Sequence, residues 1–133
     1  MKLSKKETTF INSLGVARLA TVNSKRMPHS VPVCPVLSGG KVYVASEKDA
    51  AKIKNIRGNR QASIVFDVYN DSWKNLRGVM LQCRASIADK NTFERARRKL
   101  YAKYPHYESD AAIEASDSVI IELAPEKKFS WGL

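Results

Sequence analysis

The pattern of hydrophobic and polar residues predicts a chain made mostly of β-strands. Apolar residues alternate with polar ones or form short continuous runs, and clusters of Gly, Asn and Ser separate the runs, which is typical of strands joined by turns. The sequence Ser-Gly-Gly at 38–40 indicates a tight hairpin. The predicted strands are 16–22, 27–37, 41–46, 61–68, 76–88 and 118–123, with a further short pairing at 128–132.

Helices are predicted at three places between these strands. Ser4 and Glu7 have the spacing of a capping box at the start of a helix over 4–13. Asp49 is expected to cap a second, short helix. The third and longest helix, 89–104, carries apolar residues on one face, and a short polar helical connector follows it.

The order of these elements favours an antiparallel barrel. Most successive strands are joined by turns, whereas a doubly wound sheet would need a helix between most strands. At 133 residues the chain is long enough for one domain with a real core. The fold class is therefore mainly β with peripheral helices, in a single domain over 1–133.

The strand at 27–37 is unusual because it contains two prolines, Pro32 and Pro35. Proline has no backbone N–H, so a strand with two of them is not an ordinary central strand. It is either an edge or corner strand protected by proline, or a strand whose backbone faces a ligand such as a flat ring. The residues alone give the two interpretations about equal weight.

Composition narrows the class of partner without deciding it. The formal net charge of +10 favours anionic partners such as nucleic acid, acidic membrane surfaces or phosphorylated small molecules. No apolar run is long enough to span a bilayer. The two cysteines and two histidines show no metal-ligand spacing, so free buried thiols in a cytoplasmic protein are expected.

No nucleophile elbow, phosphate-binding loop, zinc motif or dinucleotide fingerprint is present, so a cofactor would have to supply any reactive atoms. A phosphate site is the most plausible polar feature, since Ser46, Lys48, Lys52 and Lys54 lie near the start of the second helix. The alternative, a solvated helix face, is favoured by spacing alone. The basic helix with interleaved tyrosines also allows nucleic-acid binding, but Tyr101 and Tyr104 share its apolar face.

Several motifs in a fixed order resemble the pyridoxamine 5′-phosphate oxidase-like flavin-binding split-barrel family. They include an LATV strand, a polar turn with a Pro-His pair, a Tyr-x-Ala-Ser strand and a basic helix. A closing Pro…Trp pair matches Pro125 and Trp131. The segments are RLATVNSKRMPHSVPVCPV at 18–36, VYVAS at 42–46, KDAAKIKNIRGNRQASIVFD at 48–67 and W…LRGVMLQCRA at 73–85.

The resemblance implies a six-stranded antiparallel Greek-key split barrel that works as a homodimer with two cofactor sites at the subunit interface. It implies that the protein binds FMN or, alternatively, the 8-hydroxy-5-deazaflavin coenzyme. Ser46 and Lys52 would hold the cofactor phosphate, with Lys48 as a further contact. Residues along the ring would be Val31, Pro32, Val33 and Cys34, and residues approaching from the partner subunit would be Trp73, Gln82 and Trp131.

Three departures from the family pattern narrow the expected activity. Ala51 replaces an arginine of the usual basic pair, and Cys83 replaces a glycine that could allow close backbone approach. The arginine- and histidine-rich substrate tail is not recognisable, which argues against vitamin B6 oxidation. The resemblance therefore implies a small flavin- or deazaflavin-dependent oxidoreductase, with non-catalytic cofactor storage or sensing as the alternative. Its substrate is unknown, and neither a specific nucleic acid nor a membrane is expected as partner.

Overall fold

One antiparallel sheet of seven strands forms the body of the protein in the computed structural model, which describes residues 1–133. Its order is β2-β1-β5-β6-β7-β4-β3. The strands are β1 (Ala17–Val22), β2 (Pro28–Val33), β3 (Val36–Ser38), β4 (Lys41–Glu47), β5 (Gln61–Val68), β6 (Arg77–Ile87) and β7 (Ser118–Trp131). The helices are α1 (Lys5–Asn12), α2 (Ala51–Gly58), α3 (Lys90–Lys103) and α4 (Tyr107–Asp110).

The sheet curls because its two edge strands are neighbours in the chain. Only Cys34 and Pro35 separate the end of β2 from the start of β3. Three Cα steps reach at most about 11 Å, so the two edges must approach each other. The prediction of an antiparallel split barrel with peripheral helices is confirmed.

The predicted number of strands was too low by one because the strand predicted at 27–37 is broken. Pro35 has no N–H for a ladder, and its carbonyl oxygen leaves the sheet to accept hydrogen bonds from α3. Lys103 Nζ lies 2.9 Å from this oxygen and the Tyr104 hydroxyl lies 2.6 Å from it. The break produces β2 and β3 as separate strands on opposite edges.

The last strand is longer than predicted. The predicted strand at 118–123 and the short pairing at 128–132 are parts of one continuous β7. Gln82 pairs with Lys127 and Cys83 with Pro125, so Glu126 is the extra residue of a bulge. Because the bulge accommodates Pro125, β7 stays paired with β6 along almost its whole length.

Inward-facing residues of the strands form the main core. In β5 these are Ala62, Ile64 and Phe66, which alternate with more exposed positions on the outer face. α1 and α2 add apolar side chains to this core, and a second cluster lies under α3. The predicted amphipathic face of the third helix is confirmed, since Phe93, Ala96 and Leu100 are buried. None of the four helices is long and apolar enough to cross a membrane.

One of the two helix caps predicted from the sequence is confirmed. Ser4 Oγ accepts from the Glu7 amide at 3.1 Å, and Glu7 Oε1 accepts from the Ser4 amide at 2.7 Å, which confirms the capping box. Asp89 caps α3 by accepting from the Thr92 amide at 2.8 Å. The prediction that Asp49 caps α2 was wrong, because the cap residue is Ala50 and no side chain bonds the first turn.

Glu7 also ties α1 to β7 through an almost buried ion pair with Lys128, at 2.7 Å. Burial acts to raise the pKa of Glu7, but hydrogen bonds from Lys128, Ser4 and Ser130 outweigh it and lower the pKa to about 2. The ionised carboxylate therefore stabilises the fold fully above its ordinary pKa of 4.5, and this stabilisation is lost as pH falls towards 2.

We expect Glu7→Gln to lower the free energy of unfolding by about 1–3 kcal/mol at neutral pH, because a charge-assisted pair is lost. The difference from the wild type should shrink between pH 4.5 and 2. Urea unfolding at several pH values measures this. Glu94→Gln is the matched control, since its pair with Arg97 is more exposed and should contribute less than about 1 kcal/mol. A difference that stays constant down to pH 2 would contradict the assignment.

Candidate cofactor site

β2 is an edge strand, which is the first of the two interpretations that its prolines allowed. It pairs only with β1, so the backbone groups on its other side have no strand partner. Val31 and Val33 point towards the core, whereas Pro32 is exposed opposite Arg18. The free edge of β2 thus exposes main-chain groups next to the break at Cys34.

His29 in β2 has a buried nitrogen without a hydrogen-bond partner. Its Nδ1 is fully covered, although the side chain as a whole is only half-buried. The cross-strand neighbour Thr21 is engaged elsewhere, since its hydroxyl accepts from Asn55 Nδ2 at 3.0 Å. A buried polar atom of this kind normally has a partner, so it marks a place where one is missing. No pattern in the sequence indicated this, because a lone histidine after a proline does not reveal whether its side chain is buried.

Polar side chains from the end of α3 surround the strand break. Cys34 is half-buried there, and its thiol lies close enough to Lys103 and Tyr104 to influence their titration. Burial lowers the pKa of Lys103, and burial followed by the Cys34 charge raises the pKa of Tyr104. Both side chains are therefore held by the Pro35 carbonyl in a partly desolvated environment. The expectation that both cysteines are buried holds only for Cys83.

The start of α2 provides unoccupied hydrogen-bond donors. Since no side chain caps its first turn, the first amides of the helix are free to bind an anion. Lys52 is the second residue of α2, and neither Lys52 nor Lys48 forms an ion pair. The Ser46 hydroxyl donates to the Glu47 carbonyl at 3.0 Å.

A cavity of about 490 Å³ lies between the end of β4 and the segment after α4. Ser46 and Lys48 contribute to its wall, as does Tyr107. The Tyr107 ring packs edge-on against Tyr104, with ring centroids 5.6 Å apart, and the Tyr104 hydroxyl bonds the Pro35 carbonyl, so this cavity is near the strand break. Lys52 is not among the residues that line it. The structure thus brings Ser46 and Lys48 together, with Lys52 on the adjoining helix.

Gln82 lies in a different place, on the outer face of the sheet. There it lines an open groove of about 540 Å³ across β1, β5, β6 and β7. Its neighbour Cys83 points into the main core beside the bulge, and burial, with a smaller contribution from Glu126, raises the pKa of its thiol to about 12. The cysteine at the expected glycine position is therefore a protonated core residue.

Neither of the two tryptophans lines this groove. Trp131 donates from Nε1 to the Tyr69 hydroxyl at 3.0 Å and stacks on Phe129 with ring centroids 5.5 Å apart. Its indole ring covers Gly78, where any side chain would overlap with it. Trp73 is 83% exposed in the loop between β5 and β6. We call Tyr69, Phe129 and Trp131 the aromatic patch; in one chain it is separate from Ser46 and Lys48.

The structure contains no group of three or more His, Cys, Asp or Glu side chains placed to hold a metal ion. The candidate features are the free edge of β2, the uncapped start of α2 and the two lysines Lys48 and Lys52, which form no ion pair. Such a set suits an organic molecule that carries a phosphate.

Comparison with known proteins gives a family and a fold. The family model described as pyridoxamine 5′-phosphate oxidase matches residues 3–132. No curated protein sequence matches the chain significantly.

Solved structures share the fold at low sequence identity. A candidate pyridoxamine 5′-phosphate oxidase from Listeria innocua is 17% identical, with a TM-score of 0.77 over 99% of this chain and 100% of that one. The haem storage protein HutZ from Vibrio cholerae is also 17% identical, with a TM-score of 0.80 over 97% and 94% of the two chains. An F420 reductase is 17% identical, with a TM-score of 0.75 over 96% and 98%.

The seven-stranded split barrel agrees with these structures, and the family match extends over nearly the whole chain. The resemblance seen in the sequence motifs is thereby confirmed. The chain belongs to the pyridoxamine 5′-phosphate oxidase family of split-barrel proteins.

Proposed function

We propose that the protein is a homodimer that binds FMN, or alternatively the 8-hydroxy-5-deazaflavin coenzyme, between its subunits and acts as a small oxidoreductase. The observation that carries this proposal is the uncapped start of α2, with Lys52 and Lys48 lacking acidic partners, in a chain of this family. We further propose that the protein is cytoplasmic, which fits its two free cysteines.

The phosphate of the cofactor would bind at the start of α2. Free amides and the positive end of the helix dipole favour an anion there. Lys52 would add a charge within the first turn, and Lys48 could replace the contact that Ala51 cannot make. Ser46 would contribute its hydroxyl oxygen as an acceptor or, by giving up its bond to Glu47, as a donor.

The ring system would lie along the free edge of β2. Val31, Pro32 and Val33 pair with β1 on one side only, and Cys34 follows the end of the strand, so the main-chain groups on the other side have no strand partner. The unpartnered Nδ1 of His29 lies in the same strand, two residues before Val31. A bound flavin or deazaflavin accepts or donates a hydride at its ring. The protein would hold the ring in orientation and exclude water from it.

The outer face of the sheet would form the dimer interface. Phe129 is 61% exposed and Tyr69 is 58% exposed, and Ala20, Val22, Val65 and Met80 lie on the same side. Exposed apolar residues that lie together are typical of a surface that another protein covers, and Arg18 and Gln82 add polar groups on the same face. Trp73, Gln82 and Trp131 of one subunit would then approach the cofactor of the other.

Storage of a cofactor without turnover is the second candidate function. HutZ, which shares the fold, is described as a haem storage protein. Binding of nucleic acid is a weaker alternative that rests on charge, and a nonspecific interaction of this type should disappear by about 0.2 M salt.

The absorption spectrum of the purified protein, with mass spectrometry of the released ligand, tests the proposal directly. A flavin or deazaflavin spectrum that bleaches with NAD(P)H or a reductase supports an oxidoreductase, and a bound cofactor that no reductant reaches supports storage. A haem spectrum, or colourless protein whose melting temperature does not shift with excess FMN or deazaflavin, would contradict the proposal.

Lys52→Ala is expected to weaken FMN binding by about 10- to 100-fold, because a charge-assisted contact to phosphate is lost. Fluorescence titration of FMN measures the change. Lys90→Ala is the matched control, since Lys90 is an exposed lysine at the start of α3 and outside the proposed site. Equal dissociation constants for the two variants would remove Lys52 from the site.

A further inference from the structure

A separate, basic cavity lies between the β3–β4 hairpin and α3. It is open to solvent, has a volume of about 230 Å³ and uses none of the residues proposed for the cofactor. Its wall consists of Ser38, Tyr43, Thr92, Arg95, Ala96, Arg98 and Lys99. We call it the hairpin–helix cavity. It is smaller than a pocket for a drug-sized ligand and suits a compact molecule.

The charge on this cavity is entirely positive. Arg95, Arg98 and Lys99 line it, and none of them forms an ion pair in the structure. No carboxylate lines the cavity. The neighbouring arginine of the same helix, Arg97, is different because it pairs with Glu94 at 2.6 Å.

The three cations repel one another in the folded protein. Arg95 is three residues before Arg98 and four before Lys99, so all three lie on the same face of α3. Like charges at these spacings destabilise a helix. A bound anion would remove this repulsion, whereas the structure provides no acidic side chain that does so.

Hydroxyl groups complete the wall. Arg95 Nη2 donates to Thr92 Oγ1 at 3.1 Å, which holds this guanidinium at the cavity. The Tyr43 hydroxyl donates to Glu122 Oε1 at 3.2 Å, and Glu122 is also paired with Lys41. Glu122 is therefore engaged by Tyr43 and Lys41 and does not line the cavity. Guanidinium groups with neutral hydroxyl donors are the usual partners of phosphate oxygens.

We propose that the hairpin–helix cavity binds a small phosphorylated molecule through its phosphate or diphosphate group, at a site separate from that of the cofactor. The proposal rests on two elements that converge on one cavity, with three cations and three hydroxyl-bearing side chains in its wall. It does not depend on the identity of the cofactor.

Titration calorimetry with inorganic pyrophosphate, inorganic phosphate and citrate tests this on the full-length protein, with and without saturating FMN. We expect saturable binding of pyrophosphate that FMN leaves unchanged, and at least 10-fold weaker binding of citrate. The double variant Arg95→Gln/Arg98→Gln should weaken pyrophosphate binding at least 10-fold. Thr92→Val, which keeps the charge, should weaken it about 2- to 10-fold.

The matched control is Lys25→Gln/Arg26→Gln, which removes the same charge from the exposed turn between β1 and β2. Circular dichroism confirms that all variants are folded. Three results would overturn the proposal. The first is equal weakening by the two double variants, which would show attraction by net charge alone. The second is competition between FMN and pyrophosphate, which would make the cavity the cofactor's own phosphate site. The third is a single-stranded oligonucleotide that displaces pyrophosphate and binds at least 10-fold more tightly, which would assign the cavity to nucleic acid.

Discussion

Phe129→Lys is expected to convert the proposed dimer to a monomer. Phe129 is 61% exposed in one chain and lies in the aromatic patch with Tyr69 and Trp131. If a second copy covers the patch, loss of this ring should cost at least about 2 kcal/mol of association energy, or about 30-fold in the dimer dissociation constant. The added charge increases the effect because each chain already carries +10. Sedimentation velocity over a range of concentrations measures the change.

Ala102→Lys is the matched control for this variant. Ala102 is exposed on α3, away from the outer face of the sheet, so it should leave the dimer intact. Because the proposed cofactor site needs both subunits, Phe129→Lys should also lose most FMN binding while Ala102→Lys keeps it. A monomeric wild type, or a dimer that survives Phe129→Lys with unchanged FMN binding, would contradict the proposed interface.

Phe66→Ala is expected to lower the free energy of unfolding by about 3–5 kcal/mol. Phe66 is completely buried in the middle of β5, and its side chain is among the largest in the main core. Its removal leaves a cavity that neighbouring residues such as Ile64 and Leu81 can fill only in part. Urea unfolding at a fixed protein concentration measures the loss, since association would otherwise shift the apparent stability.

The corresponding change at an exposed apolar position should have little effect. Val16 is 45% exposed, and Val16→Ala is expected to stay within about 0.5 kcal/mol of the wild type. If Phe66→Ala also stayed within that range, the inward orientation of β5 would be wrong. The register of β5 against β1 and β6 would then need revision as well.

Local pattern was sufficient to predict most of the elements. An almost continuous apolar run predicted β5 with its observed bounds, Gln61–Val68. The positive φ of Gly39 and Gly40 confirms the tight turn predicted at 38–40. The capping box at Ser4 was also predicted, because it depends on a side chain only three residues after the cap.

The predictions failed where the structure depends on contacts between residues that are distant in sequence. Pro35 alone could not show that the strand breaks. The break depends on Lys103 and Tyr104, whose side chains donate hydrogen bonds to the Pro35 carbonyl oxygen. The cap predicted at Asp49 failed, and the uncapped start of α2 is what makes a phosphate site there plausible. No sequence pattern indicated the hairpin–helix cavity, since α3 meets the hairpin only in the folded chain.

The sequence by itself determined the strands, the helices, the family and the excess of positive charge. These properties follow from neighbours along the chain, whose spacing sets which side chains share a face. Only the tertiary structure decided which cations lack acidic partners, which strand has a free edge and which aromatic residues remain exposed. The reason is that burial and pairing depend on contacts between residues far apart in sequence, such as Glu7 with Lys128 and Tyr43 with Glu122.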